Sequence, residues 1–180
     1  MRIISGTFRG RTIKFPRSKL VRPTTDRNKE TIFNILNNHI GFDGIKACDI
    51  YAGSGSLGLE TISRGAAEIH FVEKSFHVQK MLKENISSLN AEEWCKVFNI
   101  SALKFSSMKE HDIYDLIILD PPFFMDDVHQ VVENLIQNKF LIENGIMLIE
   151  RSIQTKEKDV KNFKIEPFKR LGDSLIYLFE

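Results

Sequence analysis

Four residues at the end of an apolar run can hold and activate an exocyclic amino group on a planar base. The run 114–119 is followed by Asp120, Pro121, Pro122 and Phe123. The Asp120 carboxylate and the Pro121 carbonyl can accept the two amine protons, which frees a lone pair that the ring otherwise delocalises. Phe123 can stack on the base, and the prolines fix φ and remove competing N–H donors. The pattern therefore predicts an amine-binding site, although Asp-Pro-Pro also ends ordinary strands.

A glycine-rich turn between an apolar segment and a helical one indicates a nucleotide-containing cofactor. Gly53, Gly55 and Gly58 follow the segment 47–52 with the spacing G-x-G-x-x-G. We expect Gly53 to allow the tight turn, Gly55 to let a ligand approach the backbone, and Gly58 to let the helix pack on the strand. This spacing fits a nicotinamide cofactor as well as S-adenosylmethionine.

Two acidic residues bear on that choice. Asp49 stands four residues before Gly53, where it can hold the ammonium end of a methionine moiety, directly or through water, whereas a pyrophosphate would gain nothing there. Glu73 ends the next predicted strand and can accept hydrogen bonds from ribose hydroxyls, which both cofactors carry. Ser101, at the end of the third strand, is expected near the adenine, although it equally fits a plain strand end. The predicted S-adenosylmethionine residues are Asp49, Tyr51, Ala52, Gly53, Ser54, Gly55, Glu73, Ser101 and Ala102.

Basic residues are concentrated at the N-terminus. Residues 1–30 carry nine Lys and Arg against two acids, so this segment is +7 and the remainder −6 within a net charge of +1. A basic arm on an acidic domain indicates a polyanionic partner, although a solvated charged tail is the alternative. The predicted RNA-binding residues are Arg9, Arg11, Lys14, Arg22 and Arg27.

Composition limits the class of protein. The chain has 180 residues, 42% hydrophobic and 27% charged, which is ordinary for a globular domain. Two cysteines and five scattered histidines indicate neither a disulfide framework nor a metal site. No apolar run approaches the roughly 20 residues of a membrane helix, so we expect a cytoplasmic protein, with no membrane association and as a monomer. The expected organisation is a basic β-hairpin and linker over 1–23 and a catalytic domain over 24–180.

Alternating strands and helices predict an α/β fold with a parallel sheet. The predicted strands are 46–52, 68–73, 95–101, 114–120 and 145–151, with helices at 56–64, 75–89, 102–110 and 127–138. An earlier helix begins near Thr25 or Asp26, and two short strands, 2–5 and 11–15, are expected to form the N-terminal hairpin. At the other end, segments 163–170 and 174–179 flank the turn at Gly172 and predict an antiparallel hairpin.

Three motifs in this order resemble those of the bacterial RsmD-type methyltransferases over nearly the whole chain. They are Arg22-Pro23-Thr24-Thr25-Asp26-Arg27, the stretch from Asp49 to Glu60, and Asp120-Pro121-Pro122-Phe123. The resemblance implies a Rossmann-like, seven-stranded S-adenosylmethionine-dependent fold with an N-terminal hairpin that touches RNA. It implies methylation of the N2 amine of a guanine in 16S ribosomal RNA, guanine 966 in the family, on the RNA or on a 30S assembly particle. It also implies that 120–123 binds the amine and that Glu73 binds the ribose.

Two positions depart from the family pattern. Ser101-Ala102 replaces an aspartate beside a small residue, and Asn28-Lys29 replaces valine and arginine. Three alternatives stay open at this point: a DNA adenine-N6 methyltransferase, a nicotinamide-dependent oxidoreductase and a non-catalytic RNA-binding module. The first would commonly need an added target-recognition region, the second leaves Asp49 unexplained, and the third needs only the N-terminal segment.

Overall fold

The strands of this chain are buried on both faces, as expected for a parallel sheet covered by helices. A computed structural model describes residues 1–15, 26–122 and 125–180. Strands β1 (Lys46–Ile50), β2 (Glu68–Val72), β3 (Cys95–Phe98), β4 (Tyr114–Leu119) and β5 (Leu141–Ser152) are parallel, and β6 (Lys169–Leu171) and β7 (Ser174–Phe179) complete the sheet. The order is β3-β2-β1-β4-β5-β7-β6, with β7 antiparallel to both neighbours. This seven-stranded arrangement is the class I methyltransferase fold, as predicted.

Helices cover the two faces of the sheet separately. The helices are α1 (Asp26–Asn37), α2 (Ser56–Ser63), α3 (Phe76–Ser88), α4 (Ala102–Ser106), α5 (Val128–Gln137) and α6 (Lys156–Phe163). One apolar cluster joins α1, α2 and α3 to residues such as Ile118 and Leu148. The other joins α4, α5 and α6 to residues such as Leu119 and Ile149. Alternate residues of each strand therefore face alternate helical layers.

Several boundaries differ from those predicted. Helix α6 was missed because its polar sequence buries only Asp159 and Phe163. Strand β6 (Lys169–Leu171) overlaps only the last two residues of the predicted segment 163–170 and extends one residue beyond it. Strand β5 begins at Leu141 instead of 145, and its register against β4 shifts between Tyr114 and Leu116. The third strand ends at Phe98, before the predicted 101.

The N-terminal hairpin is present in reduced form, since its ladder is the single antiparallel bridge Arg2↔Thr12. The intervening N–H groups find other acceptors: those of Ile4 and Ser5 donate to the Glu60 carboxylate at 2.8 and 3.0 Å. Ile3 and Ile13 are buried in the same cluster as α1 and α2. The arm is therefore packed on the domain, while the predicted boundary at 23 lies outside the described residues.

Candidate active site

The carboxyl ends of four neighbouring strands lie level and form one edge of the sheet. Ile50, the last residue of β1, pairs with Val72 of β2 and Leu119 of β4, and Val72 pairs with Phe98 of β3. The strand order reverses between β1 and β4, which is where open α/β sheets bind ligands. The segments that follow these strands carry the glycine-rich turn, Glu73, Ser101 and Asp120. The fold thus brings the described residues that were predicted to bind the cofactor and the amine to one edge of the sheet.

Among the three glycines of the turn, Gly55 has surroundings that differ from those predicted, whereas Gly53 (φ +55°) and Gly58 fit their predicted roles. Gly55 has a φ of +80°, and a side chain on it would lie 2.4 Å from Leu82 Cδ1. The space beside Gly55 is therefore filled by packing against α3, and not left for a ligand. A Cβ on Gly53 would meet nothing closer than the Tyr51 carbonyl oxygen at 3.9 Å, so Gly53 offers the more open side. Gly58 does pack on the strand layer, since its Cβ would meet the Phe71 ring at 2.3 Å.

Asp49 is a buried carboxylate at the heart of this turn. Asp49 is only 2% exposed, and its Oδ2 accepts a hydrogen bond from the Gly58 N–H at 2.8 Å. Burial raises the pKa of Asp49 to about 8, and the negative charge of Glu73 adds to the rise while the Gly58 N–H opposes it. A neighbouring positive charge would favour ionisation, so this environment suits an ammonium group.

Glu73 holds two loops together through its carboxylate. Oε2 accepts from the Gly53 N–H at 3.1 Å, and Oε1 accepts from the Ser75 N–H at 2.8 Å. A carboxylate offers about four lone-pair positions, so each oxygen can accept a further hydrogen bond from a hydroxyl. Glu73 is therefore held in a fixed orientation at the end of β2.

The remaining turn residues are tied to their surroundings. The N–H groups of Tyr51 and Ala52 both donate to the Val72 carbonyl at 3.1 Å. The Tyr51 hydroxyl donates to Asp127 Oδ1 at 2.9 Å, and the carbonyl of buried Ser54 accepts from Asn85 Nδ2 at 2.9 Å. These bonds fix the turn before any ligand arrives.

Ser101 caps a helix and does not end a strand. Its hydroxyl oxygen accepts from the Lys104 N–H at 3.2 Å at the start of α4, and Ala102 is the buried first residue of that helix. The prediction of a strand end was wrong because β3 stops at Phe98. The hydroxyl hydrogen of Ser101 can still donate to a ligand.

The predicted amine site follows β4 directly. Asp120 is half-buried one residue beyond the strand, Pro121 is buried, and Pro122 is exposed. The Pro122 carbonyl accepts from the Met125 N–H at 3.0 Å. Phe123 lies outside the described residues.

The predicted RNA-binding residues fall into two groups. Arg11 and Lys14 lie against α3, where Arg11 Nη2 donates to the Ser88 carbonyl at 2.5 Å and Lys14 Nζ pairs with Glu84 at 2.7 Å. Arg9 is exposed in the turn of the arm. Arg27 is exposed in the first turn of α1, whereas Arg22 lies outside the described residues.

A buried ion pair behind the turn escaped the sequence reasoning. Lys29 Nζ and Glu60 Oε2 lie 3.2 Å apart with both side chains fully buried. Lys29 also donates to the Arg2 carbonyl at 2.7 Å, and Glu60 accepts from Arg64 at 3.0 Å. Desolvation lowers the pKa of Lys29 while Glu60 opposes the fall. The sequence signal that could have revealed this pair is a charged residue at an apolar-face position in each of the helices α1 and α2.

Metal clusters and membrane-spanning helices are both absent from the described residues. Among residues 1–15, 26–122 and 125–180, no group of three or more His, Cys, Asp or Glu is arranged to hold a metal ion. Within the same ranges, no helix has the length and apolarity to cross a membrane.

Known proteins resemble this chain in sequence and structure. The family described as "Conserved hypothetical protein 95" matches residues 1–180. "Ribosomal RNA small subunit methyltransferase D" of Haemophilus influenzae is 38% identical over 152 residues, covering 83% of this chain and 78% of that protein. The Escherichia coli protein of the same name is 34% identical over 154 residues, covering 86% and 76%.

Solved structures agree with the sequence relatives. The Escherichia coli protein yhhF, described as a "putative methyltransferase", superposes with a TM-score of 0.83 at 30% identity, covering 99% of this chain and 96% of that one. A precorrin-6y C5,15-methyltransferase of Geobacter metallireducens shares the fold, with a TM-score of 0.68 at 14% identity and 92% coverage of each chain. The chain therefore belongs to the Conserved hypothetical protein 95 family, the RsmD-type methyltransferase family that its three motifs indicated.

Proposed function

We propose that this chain transfers a methyl group from S-adenosylmethionine to the N2 amine of a guanine in 16S ribosomal RNA, at the family position 966. One observation carries the proposal: Asp120 and the two prolines end β4 level with the glycine-rich turn that ends β1. An amine acceptor set thus adjoins a cofactor-type turn at the switch point of the sheet. The names of the relatives, which are ribosomal RNA methyltransferases, support the same substrate class.

The residues of this edge fit S-adenosylmethionine. Asp49 is a buried acid whose ionisation is opposed by its surroundings, so the ammonium of a methionine moiety is a suitable partner. Glu73 can accept from ribose hydroxyls, and the Ser101 hydroxyl and Ala102 lie on the side where the adenine is expected. When bound, the cofactor supplies an electrophilic methyl carbon on a sulfonium. A pyrophosphate would gain nothing at this position, because an ionised Asp49 would repel it.

The protein contributes alignment and dipoles to the reaction. The Asp120 carboxylate and the Pro121 carbonyl accept hydrogen bonds from the two amine hydrogens, which orients the nitrogen and localises its lone pair. A strong base is not required before attack, because the amine becomes acidic once it carries the methyl group. Asp120 can then take the released proton and pass it to solvent, to which it is partly exposed.

RNA is proposed to bind across the arm and α3. Arg11 and Lys14 are fixed on α3, beside a groove of about 360 Å³ whose lining includes Lys80, Lys83 and Phe76. Phe76 is 76% exposed, an unusual position for a large aromatic side chain. Cations that contact phosphates, together with an exposed ring that can stack on a base, are the features that single-stranded RNA sites combine.

Methyl transfer itself tests the proposal. Purified protein should transfer tritiated methyl groups from S-adenosylmethionine to 16S RNA, or to 30S particles, from cells that lack the protein. Asp120→Ala should remove transfer while leaving cofactor binding in place. Transfer to duplex DNA and not to RNA would instead support the adenine alternative, whose amine site uses the same acceptors.

A further inference from the structure

An acid two residues before the end of β5, Glu150, has no role in the site described so far. Glu150 is 6% exposed, and no donor among the described residues reaches its Oε2. Its other contact is a hydrogen bond with the Ser174 side chain, and burial raises the pKa of Glu150. Buried polar atoms normally have a partner, because leaving one unpaired costs about 1–3 kcal/mol. The Oε2 atom of Glu150 is therefore suited to accept a hydrogen bond from a donor group of a bound ligand.

The sheet register places Glu150 beside the amine site. Ile118 pairs with Leu148 and Leu119 pairs with Ile149. Asp120, the residue after β4, and Glu150 of β5 each come one residue after this last register pair. Neighbouring strands are about 4.8 Å apart.

Strand alternation also puts both acids on one face. Ile118 and Leu148 face the layer of α1, α2 and α3, whereas Leu119 and Ile149 face the opposite layer. Glu150 lies in β5 two residues after Leu148 and therefore faces the same layer as Leu148. The same alternation, extended one residue beyond β4, directs Asp120 to that side too. The antiparallel partner of Glu150, Ile176, faces that same layer.

The Watson–Crick edge of guanine presents donors that match two adjacent carboxylates. Its N2 amine carries two hydrogens, and the neighbouring ring nitrogen N1 carries a third. In adenine and cytosine, the ring nitrogen beside the amine is an acceptor and would face a carboxylate unfavourably. Asp120 and Pro121 can bind an amine on any of these bases, so they do not by themselves explain a choice of guanine.

We propose that Glu150 accepts the N1–H of the target guanine and so selects guanine over bases with an acceptor beside the amine. The inference rests on the proposed function and adds a recognition residue to it. Guanine binding would supply the donor that Oε2 lacks, and an N1–H donor favours the ionised form of the acid. Recognition sites that satisfy a buried polar group in this way strongly reject analogues without the matching group.

Base analogues test the contact directly. An RNA substrate with 2-aminopurine in place of the target guanine keeps the N2 amine but has an acceptor at N1. Wild-type protein should have a kcat/KM for the guanine RNA roughly 100-fold or more above that for the 2-aminopurine RNA. Equal use of the two RNAs by wild-type protein, within about threefold, would overturn the inference without any variant.

The variant Glu150→Gln sharpens the test, because its amide can donate to the N1 of 2-aminopurine. In this variant, the ratio of kcat/KM for the guanine RNA to kcat/KM for the 2-aminopurine RNA should fall by about tenfold or more, the scale of one hydrogen bond to a base edge. The control Glu143→Gln changes an exposed acid of the same strand and should keep the wild-type preference. Cofactor affinity, measured by calorimetry, should stay within about twofold in both variants.

The outcomes separate this inference from the proposed function. If Glu150→Gln lowers kcat/KM equally on both RNAs and keeps the preference for guanine, Glu150 is a structural residue. The proposed RNA methylation would be unaffected by that result. If Glu150→Gln does not fold, Glu150→Asp keeps the charge and should lower transfer to guanine while still rejecting 2-aminopurine. Loss of that rejection in the folded Asp variant would contradict the inference. Absence of transfer by wild-type protein to any RNA would overturn both.

Discussion

Without ligand, the Asp49→Asn variant should gain stability relative to wild type as the pH rises. The compared quantity is the free energy of unfolding. The pKa of Asp49 is about 8 in the fold, against 3.8 for an ordinary aspartate. Between these values the folded state holds one more proton than the unfolded chain, so wild-type stability falls as pH rises. Asparagine does not titrate, and its carbonyl can still accept from the Gly58 N–H.

The expected size follows from proton linkage. One extra bound proton changes the free energy of unfolding by about 1.4 kcal/mol per pH unit. Between pH 5 and pH 8 the gap between Asp49→Asn and wild type should therefore widen by about 4 kcal/mol, and it should level off above the folded pKa of about 8. That change is large beside the 5–15 kcal/mol that typically stabilises a domain.

Urea denaturation at successive pH values measures this gap. Asp43→Asn, the same change at an exposed acid, is the control and should give a curve parallel to wild type. S-adenosylhomocysteine carries the same ammonium, so saturating amounts should flatten the wild-type dependence and have less effect on Asp49→Asn. A pH-independent gap between wild type and Asp49→Asn would refute the account of this carboxylate, as would unchanged ligand affinity in the variant.

Three further perturbations test separate parts of the account. Asp120→Ala should lower kcat roughly 100-fold or more, the scale of one transition-state hydrogen bond, with cofactor affinity by calorimetry almost unchanged; near-normal turnover would refute its role. Glu60→Gln should cost roughly 3–5 kcal/mol in urea denaturation because it removes the negative charge that compensates the buried Lys29, whereas Glu166→Gln at the exposed pair with Lys156 should cost under about 1 kcal/mol; equal costs would contradict the burial argument. The triple variant Arg9→Ala, Arg11→Ala and Lys14→Ala should reduce the log–log salt slope of RNA binding by about 0.7 to 0.9 per lost phosphate contact, and an unchanged slope would identify the arm as a solvated charged surface.

The parallel core of the fold could be read from the sequence, because its strands are short apolar runs between helices with regular apolar spacing. The glycine-rich turn and the Asp-Pro-Pro motif then fixed which end of the sheet carries the site. These features are local, so each leaves a mark within a few neighbouring residues.

Features that depend on distant partners were not predictable in the same way. The arm pairs its N–H groups with Glu60, 56 residues away from Ile4, and no local pattern announces such a partner. The role of Gly55 in packing depends on Leu82, which belongs to another helix. Helix α6 has too few buried residues to show an apolar period.

Glu150 illustrates what a sequence pattern can suggest but not place. A lone acid at the end of the apolar run 146–149 is visible in the sequence. Only the register between β4 and β5 shows that it comes one residue after the pair formed by the last residue of β4, and only the fold shows that its Oε2 lacks a donor among the described residues. The sequence alone therefore cannot distinguish an ordinary strand residue from a recognition residue at position 150, whereas the three-dimensional structure can.

The identity of the methylated nucleoside tests the central claim most directly. Ribosomal RNA methylated by the purified protein in 30S particles from cells lacking it would be digested to nucleosides, and the modified position mapped by mass spectrometry. We expect N2-methylguanosine at a single position, guanine 966, and none with Asp120→Ala. Methylation of adenine, of a ring nitrogen, or of no nucleoside at all in RNA would contradict the account.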